Sequence, residues 1–252
     1  MKQLIIILIG LFFSFGLKSQ EIDLSEKWKD LVTSTEGFEQ FDKTMIDNFD
    51  LSQILSNQLR FKNDPISTYI GIFGPKYRRI DFHLTATKNG SDYVIVGKSK
   101  LGDNIRELNG TMQLENVLFS NKNSIADSVF IGILNTVLRE PGDREGDGVF
   151  TGIFVIAFYL EDGKVSFFKT SSGEPPDFTN TFVGKWTRNN SEIERKCIFS
   201  FEPAGLYDRL PFCDEIYTIY EGNDDYVKIK EEYVEFGWED YDYKGRKTEW
   251  WK

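Results

Sequence analysis

His83 is the only histidine of the 252-residue chain, and it follows Arg79 and Asp81 on the polar side of an alternating run. An aspartate two residues before a histidine can orient the ring as a general base. Serine hydrolysis would also need a nucleophile in an exposed turn, and the chain has no G-x-S-x-G. A single histidine excludes His-rich metal sites and H-E-x-x-H proteases. The preferred reading of His83 is a solvated or salt-linked strand residue, since isolated polar-face residues seldom carry function. A second cluster is Asp143-Arg144-Glu145-Gly146-Asp147-Gly148. It places carboxylates at relative positions one, three and five and a glycine at six, the opening of a calcium-binding loop. The bidentate acid such a loop needs at position twelve is replaced by Phe154, and a strand follows where a helix is required. A solvated turn is the preferred reading here too. Neither cluster is assigned a catalytic residue, a metal or a cofactor.

Two cysteines, Cys197 and Cys213, are expected to pair, because an even count in an exported chain favours a bridge. The bridge would close a loop of about 16 residues and contribute ~3 kcal/mol in the chain-entropy model. Two buried thiols are the alternative. There is no C-x-x-C, so neither a zinc knuckle nor a thioredoxin-like site is supported. Trp238, Trp250 and Trp251, with Tyr241 and Tyr243, crowd the acidic C-terminal end. They read first as a tail packed back on the sheet and second as a platform for sugar rings.

The elements that must position these residues are strands. An aromatic-x-Gly-x-aromatic motif occurs at Tyr69–Phe73, Phe150–Phe154 and Phe182–Trp186. Alternate strand residues share a face, so each copy sets two rings on the side of its glycine. Glycine inside a strand marks a bend or a close approach of two backbones. The spacings between the copies, 81 and 32 residues, share no period that a propeller or solenoid would require. They read as corners of one curved sheet. Residues 79–87 alternate, with Ile80, Phe82, Leu84 and Ala86 on one face, and turn through Asn89-Gly90 into Tyr93–Ser99. Further strands are expected at 106–119, with a bulge near Glu115–Val117, and at 129–138. The strand at 149–160 is apolar on both faces, and Asp162-Gly163 turns it into 164–169. Later strands fall at about 181–188, 194–202, 215–221 and 226–235. The result is an all-β fold with short N-terminal helices: about ten mostly antiparallel strands in a barrel-like or strongly curved sheet. Residues 20–63, with apolar residues at helical spacings and Asp50-Leu51-Ser52 as a cap, read as a helical cover of one end or face. Residues 64–252 read as a single barrel-like domain.

Lys2, the apolar run Leu4–Leu17 and the polar residues after it have the order of a secretory signal peptide, with cleavage near Ser19 or Gln20. The run is shorter than the ~20 residues of a spanning helix. Export to the periplasm or beyond is therefore expected, with no integral membrane segment after cleavage. The charge is −10, and −12 once Lys2 and Lys18 leave. So acidic a surface repels phosphate backbones, which argues against nucleic acid as a partner. A small molecule, a glycan or a protein is left as the partner.

Short pieces of the chain resemble uncharacterised exported proteins of Bacteroidota. The resemblance runs through Tyr69–Gly74, Tyr77–Ile80, Val96–Ser99, Gly102–Asn104, Gly148–Gly152, Val183–Thr187, Lys196-Cys197 and Gly237-Trp238. It implies export and a β-rich fold, and carries no activity. The chain departs from that pattern at Phe199-Ser200-Phe201, where a Trp-Gly step is expected. The Gly-x-Trp at 184–186 is similar to the first-strand signature of lipocalin-type barrels. Glu21-Ile22-Asp23-Leu24-Ser25-Glu26 resembles the E-aliphatic-D-x-x-E strand of retaining β-glucan hydrolases, but it falls before any strand. Asp127-Ser128-Val129 is similar to the O-glycosylation acceptor of Bacteroidota exports. A non-catalytic ligand- or protein-binding protein of the envelope is the favoured expectation, and a glycan-active hydrolase is the alternative.

Overall fold

The structure, a computed structural model, describes residues 23–42, 44–45, 49–57, 68–121, 128–142, 144, 146–168, 180–201, 216–220, 226–239 and 249–252. The proposed leader, Asp127, Asp143, Glu145, Cys213, Tyr241 and Tyr243 lie outside them. Beyond Thr68 the two-residue period becomes a run of strands. These are β2 (Tyr69–Phe73), β3 (Arg78–Asn89), β4 (Asp92–Leu101), β5 (Asn104–Ser120), β6 (Val129–Arg139), β7 (Gly148–Glu161), β8 (Lys164–Phe167), β9 (Thr181–Arg188) and β10 (Glu194–Ser200). Each of β2 to β7 pairs antiparallel with the next, β7 also pairs with β9, β9 with β10, and β10 returns to β2. The sheet is a closed, eight-stranded, up-and-down barrel. Two short strands lie outside the ring: β1 (Glu39–Phe41) pairs with β5, and β8 pairs with the far end of β7. The pair β11 (Tyr217–Tyr220) and β12 (Tyr226–Ile229) forms a separate ribbon.

The turns follow the local chemistry. Asp162 and Gly163 both take positive φ, +50° and +73°, as a two-residue hairpin of matching twist requires. The register of β5 on β6 slips between Leu114 and Asn116. That one-residue bulge keeps both Leu114 and Val117 buried in the same core cluster. The three glycine motifs fall on β2, β7 and β9, and in each the glycine shares the inward face of its rings. A Cβ built on Gly71 would stand 1.9 Å from the carbonyl oxygen of Ile198, and one on Gly152 2.4 Å from that of Val183. Gly152 and Gly184 face each other across the β7–β9 ladder. These are the places where neighbouring backbones coil closely enough to close the ring.

The interior is filled by rings. Phe199 stacks on Phe82 and Phe182 and meets Tyr69 edge-on, all four fully buried. One end of the barrel is plugged by α2 (Ser52–Leu55), whose first turn is closed by the Asp50 carboxylate accepting from Ser52 N–H. Tyr69 Oη donates to the carbonyls of Ile54 and Leu55, and Ser56 Oγ accepts from Ala86 N–H at 2.8 Å. Among the described residues, α1 (Leu24–Thr33) lies instead on the outer wall, over β7 and β9. Its Trp28 and Val32 join Ile131, Ile153, Val155 and Val183 in a second core. Hence β7 is apolar on both faces. The 226–235 strand ends at Ile229; the chain then turns helical through α3 (Glu231–Tyr233) and kinks at Phe236 and Gly237 within Val234–Trp238. The reason is Trp238, which is driven into the outer-wall core with its Nε1 donating to the Tyr77 carbonyl at 2.8 Å, while Gly237 supplies the positive φ. No helix among the described residues is long and apolar enough to cross a membrane.

Candidate functional site

Among the described residues, the end of the barrel opposite α2 holds a cavity. Strand parity brings inward-facing residues of β2, β4, β5, β7 and β9 to it: Phe73, Leu101, Arg106, Phe150, Trp186 and Arg188 line a cavity of about 230 Å³, with Glu140 and Arg195 also in its wall. Glu140 lies one residue beyond β6 with its side chain only 5% exposed. Its Oε2 accepts from Trp186 Nε1 at 3.0 Å and from Gly148 N–H at 2.8 Å, and Arg106 Nε stands 3.7 Å from Oε1. Burial, which disfavours the charged form, wins over these donors and pushes the Glu140 carboxyl above its ordinary value; Asp147 nearby adds to the rise. Below it on β10 sits Cys197, fully buried, its thiol pushed well up by burial and then by the Glu140 charge. A thiol so held stays protonated and unreactive.

Asp147 anchors the loop behind this wall. Its carboxylate is wholly buried, accepts from Arg106 Nη1 and from Arg144 N–H, and has Arg144 Nε at 3.5 Å. At Asp147 the expected solvated turn is instead a buried, arginine-clamped one, while Asp143 and Glu145 lie outside the described residues. No group of three or more metal-ligating side chains occurs among the described residues. Arg188 differs from Arg106. Its Nε is shut off from solvent without a hydrogen-bond partner, and it makes no ion pair among the described residues. The lining carries three arginines against one glutamate, a cationic recess in a protein of net charge −10.

Apart from Asp147 and Cys197, the residues singled out from sequence for chemistry stand elsewhere. His83 lies on the outer wall, its ring stacked on Trp251 at 4.5 Å. Asp81 pairs with Arg79 at 3.1 Å, and Arg79 Nη1 also reaches the Gly237 carbonyl, so the pair ties down the C-terminal segment. These charges edge a larger open cleft of about 420 Å³ against the kinked Val234–Trp238 segment, whose lining arginines and lysine are matched by carboxylates. Trp238 is buried and Trp250 meets Trp251 edge-on, as a tail folded back requires. Asp23 caps α1, accepting from Ser25 N–H at 2.9 Å, and Glu26 stands in the first turn, so the hydrolase-like spacing serves a helix start. Ser128 is half-buried just before β6. Cys197 is a free thiol, so the expected bridge to Cys213 is not formed in this structure. Its side chain lies in the inner core of the barrel, while Cys213 lies outside the described residues.

The rings Phe73, Phe150 and Trp186 were visible in the glycine motifs, but the charged mouth residues escaped sequence reading because they are scattered between 106 and 195. One signal existed. Arg106, Glu140, Arg188 and Arg195 each occupy inward parity, one step past the inward apolar residues Leu108, Leu138, Trp186 and Cys197. A charge on the apolar phase at a strand end marks a barrel mouth.

A pH series tests the burial of Glu140. The folded chain holds this proton to higher pH than the unfolded chain, whose carboxyl titrates near ~4.3. The contribution to stability is therefore complete below that value and lost as pH rises through the raised folded value. Glu140→Gln should remove this descending limb, so the variant gains on the native chain as pH climbs above the ordinary carboxylate range. Urea midpoints across the series measure it, and a pH-independent difference would contradict the burial effect.

No family model matches the chain, and neither does any curated protein or solved structure.

Proposed function

We propose that this chain is an exported, non-catalytic binding protein of the cell envelope that holds a small molecule in the barrel mouth. One observation carries the reading. The interior is packed with rings along its length, yet at one end it leaves a recess of about 230 Å³ with aromatic walls and converging polar groups. That is below the roughly 300–1,000 Å³ of drug-sized sites, so the occupant is small. Export rests on the charged start and apolar leader at residues 1–19. The glycan-hydrolase alternative needs two carboxyls facing substrate and water. Glu140 could serve as the acid, but the Asp147 side chain has no exposed surface and is taken up by two arginines.

Trp186 in the cavity wall is a built-in reporter. Native mass spectrometry of the full chain from an exporting host should show a bound small molecule. Its removal and re-addition should change tryptophan fluorescence in the native chain and leave Trp186→Phe unchanged. Bare protein mass, together with no fluorescence response to a broad metabolite extract, would end this reading.

A further inference from the structure

We infer that the ligand is a small organic anion, its acidic group held by Arg188 and its apolar part laid against Phe73, Phe150 and Trp186. This rests on the mouth being a binding site. The chain provides partners for the other buried charges there: Arg106 has Asp147 and Glu140, and Glu140 has the Trp186 indole and the Gly148 amide. Arg188 is the exception. Its guanidinium lies in the cavity lining without a carboxylate partner among the described residues, and its Nε, shielded from solvent, has no acceptor; a partly desolvated charge so placed is stabilised by an anion brought into the cavity. Arg195 at the rim spends one nitrogen on the Glu194 carbonyl 2.9 Å away and leaves its charge uncompensated in the lining. An arginine fork suits a carboxylate or another oxyanion. The rings around it favour an anion with an apolar stem over a bare ion. A cation would meet Arg188 and Arg195, which no carboxylate among the described residues pairs.

Benzoate, phenyl phosphate, benzyl alcohol, benzylamine and inorganic phosphate, titrated calorimetrically into the full chain, separate these features. Benzoate or phenyl phosphate should bind at least about tenfold tighter than the alcohol, the amine or phosphate, as a charged hydrogen bond supplies. Whichever of the two is tighter distinguishes a carboxylate from a phosphomonoester headgroup. Arg188→Gln should erase the preference, and Arg188→Lys should keep most of it. Thermal melts of both variants show that the barrel is intact; if Arg188→Gln melts early, Arg195→Gln serves, with a smaller expected loss. Benzyl alcohol or benzylamine binding as tightly as benzoate would overturn the anion assignment and leave a mouth that binds small molecules. Inorganic phosphate binding as tightly would overturn the apolar half. Silence from every probe at millimolar concentration overturns the inference, and only an empty native mass spectrum as well would remove the function beneath it.

Discussion

Gly71→Ala is expected to lower stability by about 3 kcal/mol or more, the upper range for forcing atoms into a closed interior. The added methyl would stand 1.9 Å from the Ile198 carbonyl oxygen and 2.5 Å from the Phe199 Cα. Both are backbone atoms of the strand that closes the ring, so no side-chain rotation relieves the contact. Either β10 moves off β2 or the barrel opens along that seam. Gly90→Ala is the control. It has positive φ, +65°, where Gly71 does not, but nothing lies within 4 Å of its added Cβ, so only backbone strain of about 1 kcal/mol is expected. Soluble yield and urea midpoints compare the two. Equal losses would mean that close approach at Gly71 is not what its strand position demands.

Phe199→Ala should cost about 3–5 kcal/mol, the range for truncating a buried ring whose site cannot collapse. Phe199 has Phe82 at 4.1 Å and Phe182 at 4.7 Å in stacked contact, with Tyr69 at 5.6 Å and Phe154 at 6.0 Å. These neighbours come from β3, β9, β2 and β7, held apart by their own ladders, so they cannot move in to fill the void. Phe199→Leu keeps most of the volume and should lose markedly less. A loss for the alanine variant no larger than that for leucine would show that the interior is looser than a packed barrel.

Both residues show what was legible in the chain. Gly71 with Tyr69 and Phe73, and Ile80 with Phe82 and Leu84, announce curvature and an inward face through spacing alone. Asp162-Gly163 and the slip near Glu115 were readable for the same reason, since turns and bulges are set by a few adjacent residues. The end of β12 was not readable locally, because Trp238 is placed by a carbonyl 161 positions earlier in the chain. The same holds for His83, whose stacking partner is Trp251. Cys197 reads as half of a bridge until the barrel turns it inward.

The alternation, the turns and the glycine corners are legible in the chain because each depends on residues within a few positions of one another, and the acidic balance because it is a plain sum. That β10 returns to β2, that α2 plugs one end, and that Glu140, Trp186 and three arginines meet at the other emerge with the folded barrel. Closure is a sum of long-range ladders whose register no short segment encodes. A charge at a strand end becomes a site only when eight strands carry their ends to the same rim.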